Sequence, residues 1–140
     1  MGLVFSLQIL SCFFMTGVIW TIQIVHYPTF GFTREQFDEF HKFHSNRITW
    51  VVLPMMAVEL LTASLIVYSN ISVLWLSNLL GVLATWVATG LVSVPLHRRL
   101  SKTFEVEAAQ KLVATNWIRT SIWSVRSISF LVLLSDLLKQ

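Results

Sequence analysis

The stretch Leu3–Val25, LVFSLQILSCFFMTGVIWTIQIV, decides the fold. It carries no formal charge, and a helix needs about 20 consecutive apolar residues to cross the hydrocarbon core of a bilayer. Three more stretches qualify: about Ile48 to Tyr68, with the single acid Glu59; about Val73 to Leu96, uncharged; and about Trp117 to Leu138, which contains Arg119 and Arg126. Met1 to Trp20 lacks the basic leader and small-residue cleavage site of a signal peptide, so it reads as a span that stays in the membrane. The expected fold is all-α, an integral membrane four-helix bundle in one domain over residues 1–140, with two short helical loops.

Composition agrees. Of 140 residues, 55% are apolar and 12% charged, about half the charged share of an ordinary soluble domain. Mean hydropathy is +0.70. A chain this poor in charge cannot cover a globule with water-compatible surface, so membrane lipid is its expected surrounding. Lys and Arg outnumber Asp and Glu by 10 to 7. A basic excess can signal nucleic acid, but these charges fall in short stretches between apolar runs, which suits anionic headgroups. Nucleic acid is not an expected partner. The single Cys12 excludes disulfide frameworks and Cys-based zinc sites, and in its apolar setting it is a poor nucleophile.

Orientation follows from the basic residues. Arg34, Lys42 and Arg47 lie between the first two spans, and Arg98, Arg99, Lys102 and Lys111 between the last two. The amino terminus and the turn at Ser69–Ser72 carry none, and the tail carries only Lys139. The positive-inside rule therefore expects both longer loops in the cytoplasm and both termini outside. Both loops read as helical and should prolong the second and fourth spans. Thr33 with Gln36 has the spacing of a capping box, ahead of a face formed by Phe37, Phe40 and His44. Ser101 and Thr103 are alternative caps for the later helix, with Glu105 and Glu107 in its first turn. Phe30, Phe32, Phe37, Phe40 and Phe43 are expected at the membrane interface.

This topology brings one end of every span to a common membrane face, and all four histidines, His26, His41, His44 and His97, fall there. Each span also carries a stripe at helical spacing. These are Thr16, Trp20, Gln23 and Tyr27 on the first, and His41, His44, Ile48, Met55 and Glu59 on the second. Trp86, Gly90, Ser93 and His97 form the third, and Asn116, Thr120, Trp123 and Ser127 the fourth. Polar groups in lipid are expensive and should face the bundle interior. The stripes therefore outline a polar and aromatic pocket open to the cytoplasm. At 1.5 Å rise per residue, Glu59 lies roughly 16 Å in from Ile48 and Arg126 roughly 13 Å in from Trp117. That depth match predicts an ion pair.

Several chemistries fit these residues. His41-x-x-His44 puts two imidazoles on one helical face, and His26 and His97 would complete a metal site for copper, iron or zinc. His26 and His97 alone would suit a haem between helices. Glu59 with Arg126 is either a proton relay or a structural pair that fixes helix register. Arg119 and Asn116 would hold an anionic or phenolate oxygen, unless Arg119 snorkels to the headgroups. Trp20, Trp86, Trp117 and Trp123 offer an aromatic cage, although Trp50 and Trp117 serve equally as interface anchors. There is no G-x-S-x-G, no phosphate-cradling glycine loop and no dinucleotide fingerprint. Glu59 stands alone, without the several acids of a di-iron site.

The run His26-Tyr27-Pro28-x-Phe30, then Phe40-His41-x-x-His44, Pro54-Met55-x-x-x-Glu59, Val94-Pro95-Leu96-His97 and Asn116-Trp117-Ile118-Arg119-Thr120-x-x-Trp123-Ser124-x-Arg126 together resemble the anthrone-oxygenase-like family of small four-span membrane proteins. The likeness runs from Trp20 to Arg126. Fungal members are associated with oxidising an anthrone carbon to a quinone with dioxygen, whereas bacterial members carry no assigned function. The resemblance implies a membrane-embedded oxidoreductase acting on a small hydrophobic aromatic or quinone-like molecule. The residues themselves suggest the roles: His44 or His97 as base, Glu59 as a further ionisable group, Arg119 as the cation for an enolate-like intermediate, and a pocket of Gln23, Trp86, Asn116, Trp123 and Arg126. Two other readings are a non-catalytic small subunit of a larger membrane complex and a metal or haem carrier without turnover. An enzyme needs an open pocket between the histidines and Glu59, whereas a subunit can fill it with Trp and Met.

Overall fold

The computed structural model describes residues 1–31 and 37–139. The proposed capping box at Thr33 and Gln36, and Phe32 with it, lies outside the described residues. Among the described residues the secondary structure is entirely helical. Helix α1 (Gly2–Thr21) runs on through a widened turn, Ile22–His26, and a tight one, Tyr27–Gly31. Then come α2 (Phe37–Ser69), α3 (Val73–Ala88), a second widened turn at Thr89–Ser93, α4 (Val94–Leu100) and α5 (Val106–Leu137). With their continuations these make four helices long and apolar enough to cross a membrane: Gly2–Phe30, Glu39–Ser69, Val73–Leu100 and Val106–Leu137. The protein is an integral membrane four-helix bundle.

The second and fourth helices are prolonged as expected. The end of α3 is prolonged too, because α4 carries it on to Leu100. Packing follows a ring in which α1 meets α2, α2 meets α3, α3 meets α5 and α5 meets α1. The short turn between α2 and α3 is closed by Ser72, whose hydroxyl accepts from the Trp75 backbone N–H. At the start of α5 the cap position is Glu105, not Ser101 or Thr103. Glu105 instead makes an exposed ion pair with Arg99, and the Ser101 hydroxyl is engaged with histidines.

Burial is inverted relative to a water-soluble domain. Leu3, Leu65, Leu80 and Val125 are among many large apolar side chains on the outside, while Gln8, Gln23, Glu59, Asn78, Asn116, Arg119 and Arg126 are buried. Such an outer surface is at home only in lipid, and the polar groups turn inward because hydrocarbon offers them no hydrogen bonds. Two apolar clusters fill the space between them. One, around Cys12, Met15, Met56 and Trp123, lies mid-bundle; the other, around Tyr27, Phe30, Phe37 and Leu100, closes the histidine end. Phe30 and Phe37 are buried in this second cluster, whereas Phe43 is exposed.

The two widened turns immediately precede or include His26 and lead to His97, and each is followed by a proline, Pro28 or Pro95. Proline has no N–H to donate to the preceding turn, which frees carbonyls and permits the wider i→i+5 geometry. Such bulges re-aim side chains and occur often at functional sites.

Candidate functional site

The buried polar residues separate into two layers. The inner one is centred on α5 and α2. Arg126 Nη1 lies 2.8 Å from Glu59 Oε1, across the bundle, and Arg126 Nε donates to Asn78 Oδ1 at 3.1 Å. Trp123 Nε1 donates to Glu59 Oε2 at 2.9 Å. The ion pair expected from depth is present, and both side chains are almost wholly enclosed. A Cβ on Gly81 would come within 2.7 Å of Arg126 Cδ, so glycine is what lets α3 approach the arginine stem. Nearby, Thr62 donates to Gln8 Oε1, and the Thr16 and Ser127 hydroxyls meet at 2.7 Å.

The second layer is the histidine end. His41 Nε2 and His97 Nδ1 are 3.0 Å apart, and Ser101 Oγ lies 3.2 Å from His41 Nδ1 and 2.9 Å from the His97 carbonyl oxygen. A hydroxyl has one proton, and a carbonyl can only accept it. With both bonds made, Ser101 therefore accepts from His41 Nδ1–H, and His41 Nε2 accepts in turn from His97 Nδ1–H. His97 Nε2 is left with its lone pair, the form a general base requires. The other two histidines stack: the His26 and His44 rings have centroids 3.5 Å apart, with Phe40 against the His26 ring as well.

Beside these rings is a cavity of about 180 Å³ whose lining includes Tyr27, His44, Met56, Trp86, His97 and Arg119. Arg119 is 6% exposed. Its Nη1 donates to Ser93 Oγ at 3.2 Å and to Asn116 Oδ1 at 3.4 Å, and its guanidinium carbon lies 5.4 Å from the centre of the Trp123 ring. Among the described residues no carboxylate pairs with it. Arg119 Nε and Trp86 Nε1 are both buried without a hydrogen-bond partner.

No protein-family model, curated protein or solved structure matches the chain. What the site can do follows from its own chemistry.

Of the residues expected to act together, His44, His97, Arg119 and Trp86 line one cavity. Glu59 does not; it belongs to the inner layer with Arg126 and Trp123. Gln23 and Asn116 do not line the cavity either. They bond to each other at 2.7 Å and so hold the Asn116 oxygen that Arg119 uses. The four-tryptophan cage is not formed. Trp20 and Trp117 meet edge to face on the outer surface, with Trp20 bonded to Ser124, while Trp123 is fully buried beneath Arg119.

The described histidines form two pairs, His41 with His97 and His26 with His44. Among the described residues no group of three or more His, Cys, Asp or Glu is placed to hold an ion. His26 and His97 line different spaces. His97 lines the inner cavity, and His26 lines a separate groove on the outside of α1 and α2.

Met56 and Ser101 were not anticipated as site residues. Their signals were in the spacing, since His44, Ile48, Val52 and Met56 recur every fourth residue on α2, and Ser101 follows His97 by one turn.

Proposed function

We propose that the protein is a membrane-embedded oxidoreductase of the anthrone-oxygenase type, acting on a small hydrophobic aromatic or quinone-like molecule in the histidine–Arg119 cavity. Arg119 carries this reading. A buried cation without a counter-charge costs several kcal/mol in a membrane interior, so its retention beside an open cavity favours a ligand that brings negative charge. His97 Nε2 is the base that takes a proton from a carbon flanked by aryl rings. The electrons move onto the ring oxygen, which Arg119 stabilises as a phenolate, and Trp86 offers a flat apolar wall with a free N–H. Dioxygen then converts the CH₂ to C=O; one of its oxygen atoms enters the carbonyl and the other leaves as water, with the two hydrogens of the CH₂.

The cavity beside His44 and His97 favours an enzyme, but it stops short of Glu59, where Trp123 and Met56 fill the bundle as they would in an accessory subunit. Oriented by its basic residues, the histidine end would face the cytoplasm, and a reporter fused at the Ser69–Ser72 turn would then read outside.

Anthrone supplied to vesicles containing the protein tests the reaction. Anthraquinone should form with one dioxygen consumed per product. Arg119→Met should slow this by roughly 100-fold, the usual loss when one oxyanion donor is removed. A rate no higher than that of protein-free vesicles would reject the anthrone-oxygenase reading.

A further inference from the structure

On its outer side, between α1 and the first turns of α2, the bundle carries a groove of about 790 Å³ lined by Phe13, Gly17, Val18, Val25, His26 and Phe40, among others. Three residues, Ile22, His44 and Ile48, line both this groove and the inner cavity. They form a partition one side chain thick. The floor of the groove is bare at Gly17, where an added Cβ would meet nothing within 4 Å. Both walls belong to helices long and apolar enough to cross a membrane, so the groove opens on the side that meets lipid. Its character changes along its length. The stretch from Phe13 to Val25 is apolar apart from Thr21, and the end at His26 and His44 is polar, with His26 Nε2 buried and without a partner. That combination suits a flat apolar molecule bearing one hydrogen-bonding oxygen better than it suits a plain acyl chain.

The cavity alone is small. Ligand sites usually measure about 300–1,000 Å³, against about 180 Å³ here. A molecule of two or more rings therefore needs the partition to move, and its nearest reservoir is the groove.

We propose that the groove is a vestibule through which an aryl ketone or phenol dissolved in the membrane reaches the cavity, with Ile22, His44 and Ile48 as the moving partition. This rests on the reading that the cavity accepts such molecules. Lateral access removes the need for a water-filled path and keeps an oxygen-sensitive carbanion away from water.

Benzophenone, a membrane-soluble diaryl ketone that photolabels nearby C–H bonds, is the probe. The full-length protein in phosphatidylcholine vesicles is irradiated briefly with it, and adducts are located by peptide mass spectrometry. In the wild type, labels should appear at Val18 in the groove and at Met56 in the cavity. Gly17→Phe, which fills bare space, should lower the Met56 label by roughly tenfold, the factor given by a barrier raised about 1.4 kcal/mol. Ile48→Ala thins the partition and should raise the Met56 label. Equal Met56 labelling in the wild type and in both variants would overturn the lateral route while leaving the cavity reading intact. Absence of any Met56 label in the wild type and in Ile48→Ala would overturn the cavity reading, and the route with it.

Discussion

Arg119 and Arg126 lie about two turns apart on α5, both buried, and they are provided for in opposite ways. Arg126 meets Glu59 at 2.8 Å and Asn78 at 3.1 Å, with Gly81 cleared for its stem. Arg119 has a hydroxyl, an amide oxygen and an aromatic face, but no carboxylate among the described residues. The neutral partners solvate a charge without cancelling it. A matched charge inside a bundle fixes how helices sit against one another; an unmatched one beside a cavity favours a ligand. On the proposed function, the inner layer serves as architecture and the histidine end holds the chemistry.

The largest effect should come from unmatching the matched pair. Glu59→Gln leaves Arg126 charged, enclosed and without an anion, which costs about 3–5 kcal/mol for a buried pair. The cost should appear as a lowered melting temperature in mild detergent. Glu59→Met combined with Arg126→Met removes both charges and should recover most of that loss. If Glu59→Gln melts with the wild type, the inner layer is not the structural element described. A smaller effect is expected at Gly81. The Cβ of Gly81→Ala would press on Arg126 Cδ, and overpacking of this kind typically costs about 1–3 kcal/mol. Its cost should shrink when Arg126 is already Met, because the two share one contact. Smallest of all should be Arg119→Met. Removing an uncompensated buried charge should leave melting unchanged or raise it, even as activity falls. A loss of stability equal to that of Glu59→Gln would make Arg119 a structural residue and erase the contrast between the layers.

The sequence made the architecture legible because bilayer thickness imposes a length on every span and lipid excludes charge from it. The Glu59–Arg126 pair followed from depth alone, since a lone mid-membrane charge has few alternatives. The gathering of the histidines at one end followed from topology. Helical spacing gives the angle of a side chain but not what stands opposite it. Gln23 and Asn116, on inward stripes, satisfy one another and do not line the cavity. Trp20, on the same stripe as Gln23, lies on the outer surface beside Trp117, because the helix widens between it and His26 and the stripe does not continue straight. Ser101, expected as a helix cap, is drawn to His41 and His97 because it sits one turn beyond His97 at the end of α4. These outcomes depend on neighbouring helices, and no single-helix pattern contains them.

The most direct measurement is a pH titration of 1,8-dihydroxyanthraquinone, whose absorption shifts to the red when its phenol ionises, bound to the protein in detergent. If Arg119 is a cation awaiting an anionic oxygen, the red-shifted phenolate should appear roughly 1–2 pH units lower with the protein than in empty micelles. That displacement should vanish in Arg119→Met. Identical titrations with the wild type, with Arg119→Met and in empty micelles would contradict the assignment of this cavity to a phenolate or enolate ligand.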